Sequence, residues 1–267
     1  IESTKYVESP KSGGQYIDTG YVPTVNARIV ADFNPLVNYG GYLTFFGVEA
    51  DGDTPSSGII LRYADNVING WFCNDDATAV QFSGLENTRI AAELKADSIK
   101  LNRTTAQFTT TGTPCELPIY IFCCHDGSYG GGWARRFQAM RLYSFKIYEG
   151  EEPKRDFVPC IVTATGEAGL FDLVEGKFYN NRGGDAFVAG REVERVEFYD
   201  PIGETNITVT AAVVTKDTAT FDDGGWNVAR GIVERGTITV NGSANLILTD
   251  GASLTVNGGD KQPGIAV

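Results

Sequence analysis

The chain has a single histidine, a single methionine, no CxxC pair and no apolar run of 18 residues. Each scarcity excludes a class of protein. Without a long apolar run, no helix is expected to span a membrane. With His125 alone, a Ser-His-Asp triad would have to pass through that residue, and no G-x-S-x-G elbow accompanies it. The five cysteines, Cys73, Cys115, Cys123, Cys124 and Cys160, are odd in number, so at least one thiol is left unpaired within the chain. Cys123-Cys124-His125 is the nearest approach to a metal motif, but zinc sites draw four ligands at recognisable spacings. Free thiols, buried or partly buried as small hydrophobes, are the expectation. Basic residues are also few: 22 Lys and Arg stand against 34 Asp and Glu, a net charge of −12. Nucleic-acid binding is excluded on that ground, since phosphate contacts need clustered cations.

Turn residues are what the chain has in quantity, with 32 glycines among many Thr, Asn and Asp. From Ser12 to about Phe198, short runs of period two alternate with such turns. "ARIVADF" puts Ile29, Ala31 and Phe33 on one face and Arg28, Val30 and Asp32 on the other. "YLTFFGV", "GIILRYA", "VINGWFC" and "AVQF" follow. "RIAAELKADSIKLN" has helix-forming composition, but its apolar positions keep period two on either side of Lys95-Ala96-Asp97 and predict a hairpin there. "PIYIFCC" is apolar almost throughout, as in a strand buried on both faces. In "RRFQAMRLYSFKIYEGEEPKRDFVPC" the aromatic and basic residues suggest an anion grip, but period two spreads the basic side chains over both faces. It places Tyr143, Phe145 and Ile147 in a core row. Residues 1–198 are therefore expected to form a β-sandwich.

From about Tyr199 the pattern changes. "GTITVNGS", "ANLILTDG" and "ASLTVNGG" are consecutive eight-residue units, with Ile238, Leu246 and Leu254 equivalent, and Val240, Leu248 and Val256 equivalent. Residues 199–267 are expected to be a small β-solenoid-like or β-meander segment that continues beyond Val267.

Three stretches, "GGQYIDTGYVPTVNARIVADF", "AMRLYSFKIYEGEEPKRDFVPC" and "GLFDLVEGKFYNN", resemble bacterial laminin-G-like modules of the concanavalin A-like lectin/glucanase class, in the expected order over residues 4 to 190. "NLILTDGASLTV" is similar to the β-helical repeats that follow such modules. The resemblance implies a concanavalin A-like jelly-roll sandwich in a large, secreted or cell-surface bacterial protein with further domains. It also implies a polysaccharide or host glycoprotein as partner, and a structural calcium ion as the one cofactor to look for.

Calcium takes carboxylate and carbonyl oxygens, and Asp51 with Asp53, Asp75 with Asp76, and Asp222 with Asp223 are the candidate ligands. The E-x-D-x-x-E row of catalytic glucanases is absent. Glu49, Asp51 and Asp53 stand at spacing two, but in a stretch that reads as a loop. A pyranose needs an aromatic face and fixed polar groups. "HDGSYGGGWARR" offers Tyr129 and Trp133 beside Asp126 and Arg135, and "NGWFCNDD" offers Trp71 and Asn74. Against this, Trp133 could fold back over a sheet edge and close the core. Trp226 is expected to cap the start of the repeats. The favoured function is a non-catalytic recognition module. A ligand-free spacer is the alternative, with a glycoside hydrolase third.

Overall fold

A computed structural model describes residues 1–9, 14–36, 43–50, 58–64, 67–73, 78–81, 88–128, 132–190, 193–200, 203–216, 218, 220–221, 223–258 and 263–266. Among these there is no α-helix, and the protein is all-β. The chain divides into two compact units, Ile1–Glu2 with Tyr6–Ala189, and Ser3–Lys5 with Gly190–Val267.

The first unit is a sandwich of two sheets. One runs Thr104–Gln107, Ser98–Leu101, Ile90–Lys95, Ala27–Pro35, Met140–Glu149, Glu152–Val162, Glu167–Asp172, Lys177–Tyr179, antiparallel along this path. The other runs Trp133–Arg135, Cys124–Asp126, Leu43–Glu49, Ile59–Ala64, Val67–Phe72, Thr78–Gln81. Between them lies one apolar core that includes Ile29, Ala31 and Phe33 from "ARIVADF", as the alternation required. Ring contacts join the sheets, Phe33 to Phe45 at 4.6 Å and Phe46 to Phe145 at 5.1 Å between centroids. The hairpin in "RIAAELKADSIKLN" turns where the pattern placed it, with Ser98 paired to Lys95.

Two local departures from period two change the reading of individual residues. The register between Met140–Glu149 and Ala27–Pro35 shifts between Leu142 and Ser144. Met140 and Leu142 are fully buried before the shift, and Phe145 and Ile147 after it. Tyr143, expected in the core row, is the bulged residue. Its ring instead carries the Arg89 guanidinium at 4.0 Å and meets the Tyr6 ring edge-on. A bulge inserts one residue and so exchanges the faces beyond it. "PIYIFCC" is not one strand either. Tyr120–Ile121 runs antiparallel to Leu43–Glu49, and Cys124–Asp126 runs parallel to it. The reversal occurs at Phe122, whose φ of 74° lies in the left-handed region. Burial of its ring against Phe187, at 4.8 Å, and hydrogen bonds to Phe45 and from Gln138 hold it there.

In the second unit Val193–Asp200 pairs antiparallel with Thr205–Val214. Residues 193–198, assigned by sequence to the first part, thus pair within the second unit. The eight-residue units do not stack on one another. Ile238–Val240, Ala244–Leu248 and Ser253–Val256 lie in three different sheets. They pair in parallel with Thr220–Phe221, Gly225–Ala229 and Ile232–Arg235, about twenty residues earlier in each case. The spacing of eight is thus the length of one side of a circuit. Trp226 lies in Gly225–Ala229 with its ring 5.2 Å from that of Phe198.

Candidate functional site

Alternation sorts the two faces of the second sheet of the sandwich. Phe46, Val48, Ile59, Leu61 and Phe72 belong to the core, so Gly47, Glu49, Ile60, Arg62 and Trp71 lie on the opposite, outer face. Register extends that face across the sheet. Trp71 stands beside Ile60, Ile60 beside Gly47, Gly47 beside Cys124, and Cys124 beside Arg135. One step along the strands, Glu49 stands beside Asp126 and Asp126 beside Trp133. Ile60, Trp71 and Cys124 form an apolar cluster of their own, separate from the sandwich core.

The face is closed at one end and open at the other. Trp71 is only 4% exposed, with the Arg62 guanidinium 4.1 Å above its ring. Its faces are therefore committed to the protein, which corrects the expectation that it could receive a sugar. Trp133 is 60% exposed, so it does not fold back to close the core. Two ion pairs lie between the tryptophans. Arg136 Nη1 is 2.5 Å from Glu49 Oε1, and Arg135 Nη1 is 2.6 Å from Asp126 Oδ2. Consecutive strand residues normally point to opposite faces. Arg136 has a left-handed backbone, φ 60°, and reaches a carboxylate on the same face as Arg135.

Asp126 is fully buried and its oxygens are occupied. Oδ1 accepts the Ser128 amide at 2.8 Å and the Ser128 hydroxyl, and Oδ2 accepts Arg135. Burial alone would raise its pKa, but the Ser128 donors and the Arg135 charge outweigh it and hold the carboxyl below its ordinary value. Asp126 was expected to touch a ligand directly. Here it supports the arginine from beneath, while the Arg135 side chain stays 47% exposed beside Trp133. Glu49 is shifted the other way. Burial pushes it up, against the pull of Arg136 and with the neighbouring Asp126 adding to the rise. Glu49, read from the sequence as part of a loop, is the last residue of a strand and 2% exposed.

His125 alternates to the other side of the same strand, where its ring stacks on Tyr120 at 3.9 Å. Its Nδ1 donates to the Pro118 carbonyl at 2.8 Å. His125 helps line a cavity of about 670 Å³ with Cys115, Glu116 and Tyr120, on the side away from Trp133. Cys124 and His125 thus face opposite ways and do not share an ion. Among the described residues, no three His, Cys, Asp or Glu side chains converge as a metal set. The cysteines carry free thiols, Cys115 half-buried and the others buried, with burial pushing Cys73 up to about 12 and Cys160 to about 11.

Tyr129 and Asn74, and the calcium candidates Asp51, Asp53, Asp75, Asp76 and Asp222, lie outside the described residues. Asp223 accepts the Ser243 amide at 2.9 Å and the Ser243 hydroxyl. Of the expected glycan residues, the fold brings together Trp133, Asp126 and Arg135 at one end of the outer face and places Trp71 at the other. Glu49, Arg136 and Arg62 were missed as members of this face. The Arg135-Arg136 doublet was the visible signal, but the Arg136 partner, Glu49, comes from a strand distant in sequence.

No family model matches the chain, and no curated protein does. Among solved structures, a "putative carbohydrate binding protein" from Bacteroides ovatus superposes with a TM-score of 0.47 and 12% identity. The match covers 71% of this chain and 61% of that one, so it spans less than two thirds of the Bacteroides protein. A heptameric SAP-like pentraxin from Limulus polyphemus gives a TM-score of 0.42 and 10% identity, over 70% of this chain and 95% of that one. Likenesses of this size say nothing about what this chain binds.

Proposed function

We propose that the first unit is a non-catalytic glycan-recognition module of the laminin-G-like kind, carried by a secreted or cell-surface bacterial protein. The observation that supports the reading is Trp133. It is a large aromatic 60% exposed on a strand, next but one to an arginine seated on a buried carboxylate. An exposed apolar face beside fixed polar donors suits a pyranose, which has one apolar side and a rim of hydroxyls. The setting rests on the sequence motifs. Absence of catalysis is supported by the adjacent carboxylates Glu49 and Asp126, which are both buried and both held by arginine. A working acid–base pair would need a carboxyl open to the scissile bond. Within this reading the second unit is a β-solenoid-like segment that follows the module in the chain.

The test is a glycan array followed by titration calorimetry on the best ligand. Trp133→Ala should weaken binding at least about tenfold while leaving the melting temperature unchanged, since the ring packs little. Absence of binding to every glycan would favour the spacer alternative instead. Hydrolysis of a bound polysaccharide, lost on Glu49→Gln, would favour the hydrolase.

A further inference from the structure

Resting on the glycan reading of Trp133, we infer that the ligand is acidic: a pyranose bearing a carboxylate or sulfate, with the ring on Trp133 and the anion on Arg135. Trp133 and Arg135 belong to one three-residue strand, and both stand on its outer face opposite Asp126 and Cys124. Side chains two residues apart on a strand project in parallel, about 7 Å from one another. A guanidinium at that spacing from the stacked ring is within reach of an anionic group attached at the ring's edge.

The ion pair beneath Arg135 leaves it able to take a second anion. Asp126 is fully buried and engages only Nη1, whereas the guanidinium carries five donors and its side chain is 47% exposed. Ser128 fills the other oxygen of Asp126, so that carboxylate is fixed from two sides and cannot swing out to meet the ligand. Asp126 is thus a positioning residue. It removes rotamer freedom from Arg135 before any ligand arrives, which lowers the entropic cost of binding. The adjacent cation in sequence, Arg136, is turned inward onto Glu49, with a side chain only 12% exposed. Of this arginine pair Arg135 is the one left to meet the anion, and a planar guanidinium suits the two oxygens of a carboxylate or sulfate. The chain's overall charge of −12 repels polyanions at long range. Selectivity must accordingly come from this close contact, within the range that salt leaves unscreened.

The experiment compares three oligosaccharide sets of equal length by calorimetry: neutral, uronate-containing and sulfated. Wild-type protein should prefer one acidic set over neutral by about tenfold or more, and which acidic set wins identifies the anion. Arg135→Gln should abolish that preference by weakening the acidic set far more than the neutral one, Arg135→Lys should retain part of it, and Trp133→Ala should weaken all three sets. Equal binding of acidic and neutral sets, or a preference that survives Arg135→Gln, overturns the acidic-ligand inference and leaves glycan recognition standing. Failure of wild-type protein to bind any set overturns both. Trp133 is exposed, so Trp133→Ala should fold with an unchanged melting temperature. Arg135→Gln leaves the buried Asp126 without its ion pair and should melt lower, so Arg135→Lys, which keeps the charge on Asp126, separates loss of the ligand contact from loss of stability.

Discussion

At the scale of single residues, the outer face shows how environment separates two like groups. Glu49 and Asp126 are neighbours in register, both buried and both paired to arginine, yet their carboxyls shift in opposite directions. The difference lies in Ser128, whose amide and hydroxyl stabilise the charged form of Asp126. This fixes a sign for the pH dependence of stability. The folded value of Asp126 is depressed below 3.8, so its contribution is present above about pH 4 and is lost as pH falls through the folded value. Asp126→Asn, which keeps an acceptor oxygen for Ser128 but removes the charge facing Arg135, should therefore destabilise the protein at pH 7 by less than the about 3–5 kcal/mol of a fully buried pair, because Arg135 can reach water. The deficit should shrink towards pH 3, as measured by urea midpoints across that range. Glu49 has the opposite sign: with its folded value raised, its contribution is present at low pH and is lost as pH rises through that value.

At the scale of strands, close backbone approach decides what the outer face can be. Gly47 stands between Ile60 and Cys124, and a Cβ there would lie 2.7 Å from the Ile59 carbonyl oxygen and 2.9 Å from the Ile60 Cα. Both obstacles are backbone, so no side-chain rotation relieves them. Gly47→Ala should cost about 1–3 kcal/mol by overpacking, read as a lower chemical-denaturation midpoint. It should also weaken glycan binding, because the same shift moves Cys124 and its partner Arg135. Trp133–Arg135, read from the sequence as part of a glycine-rich loop, is a strand. The alternating pattern made Leu43–Glu49, Ile59–Ala64 and Val67–Phe72 legible as strands, and in the other sheet the "RIAAELKADSIKLN" hairpin. It could not show the bulge at Tyr143 or the reversal at Phe122. An apolar residue in an apolar run reads the same whether the strand continues or turns, and only the partner strand's register distinguishes the two.

At the scale of the whole molecule, the first unit has a core of its own, and the second has two small clusters, around Ile238 and around Val228. Residues 1–189 expressed alone should unfold in one cooperative urea transition and keep whatever glycan affinity the full chain has. A fragment that fails to fold, or a full chain that binds while the folded fragment does not, would show that the second unit contributes. Trp226 lies in the second unit, so Trp71 and Trp133 alone report the fragment's fluorescence. The sequence by itself determined the all-β class, the burial of the thiols and the face of each regular strand, because all three follow from composition and a local period of two. Only the tertiary structure decided that Trp71 is covered and Trp133 open. It also decided that Asp126 supports Arg135 from below, and that units of eight residues are sides of a circuit. Each of these depends on which strands pair and in what register. Pairing is set by the burial of side chains tens of residues apart, which no local pattern records.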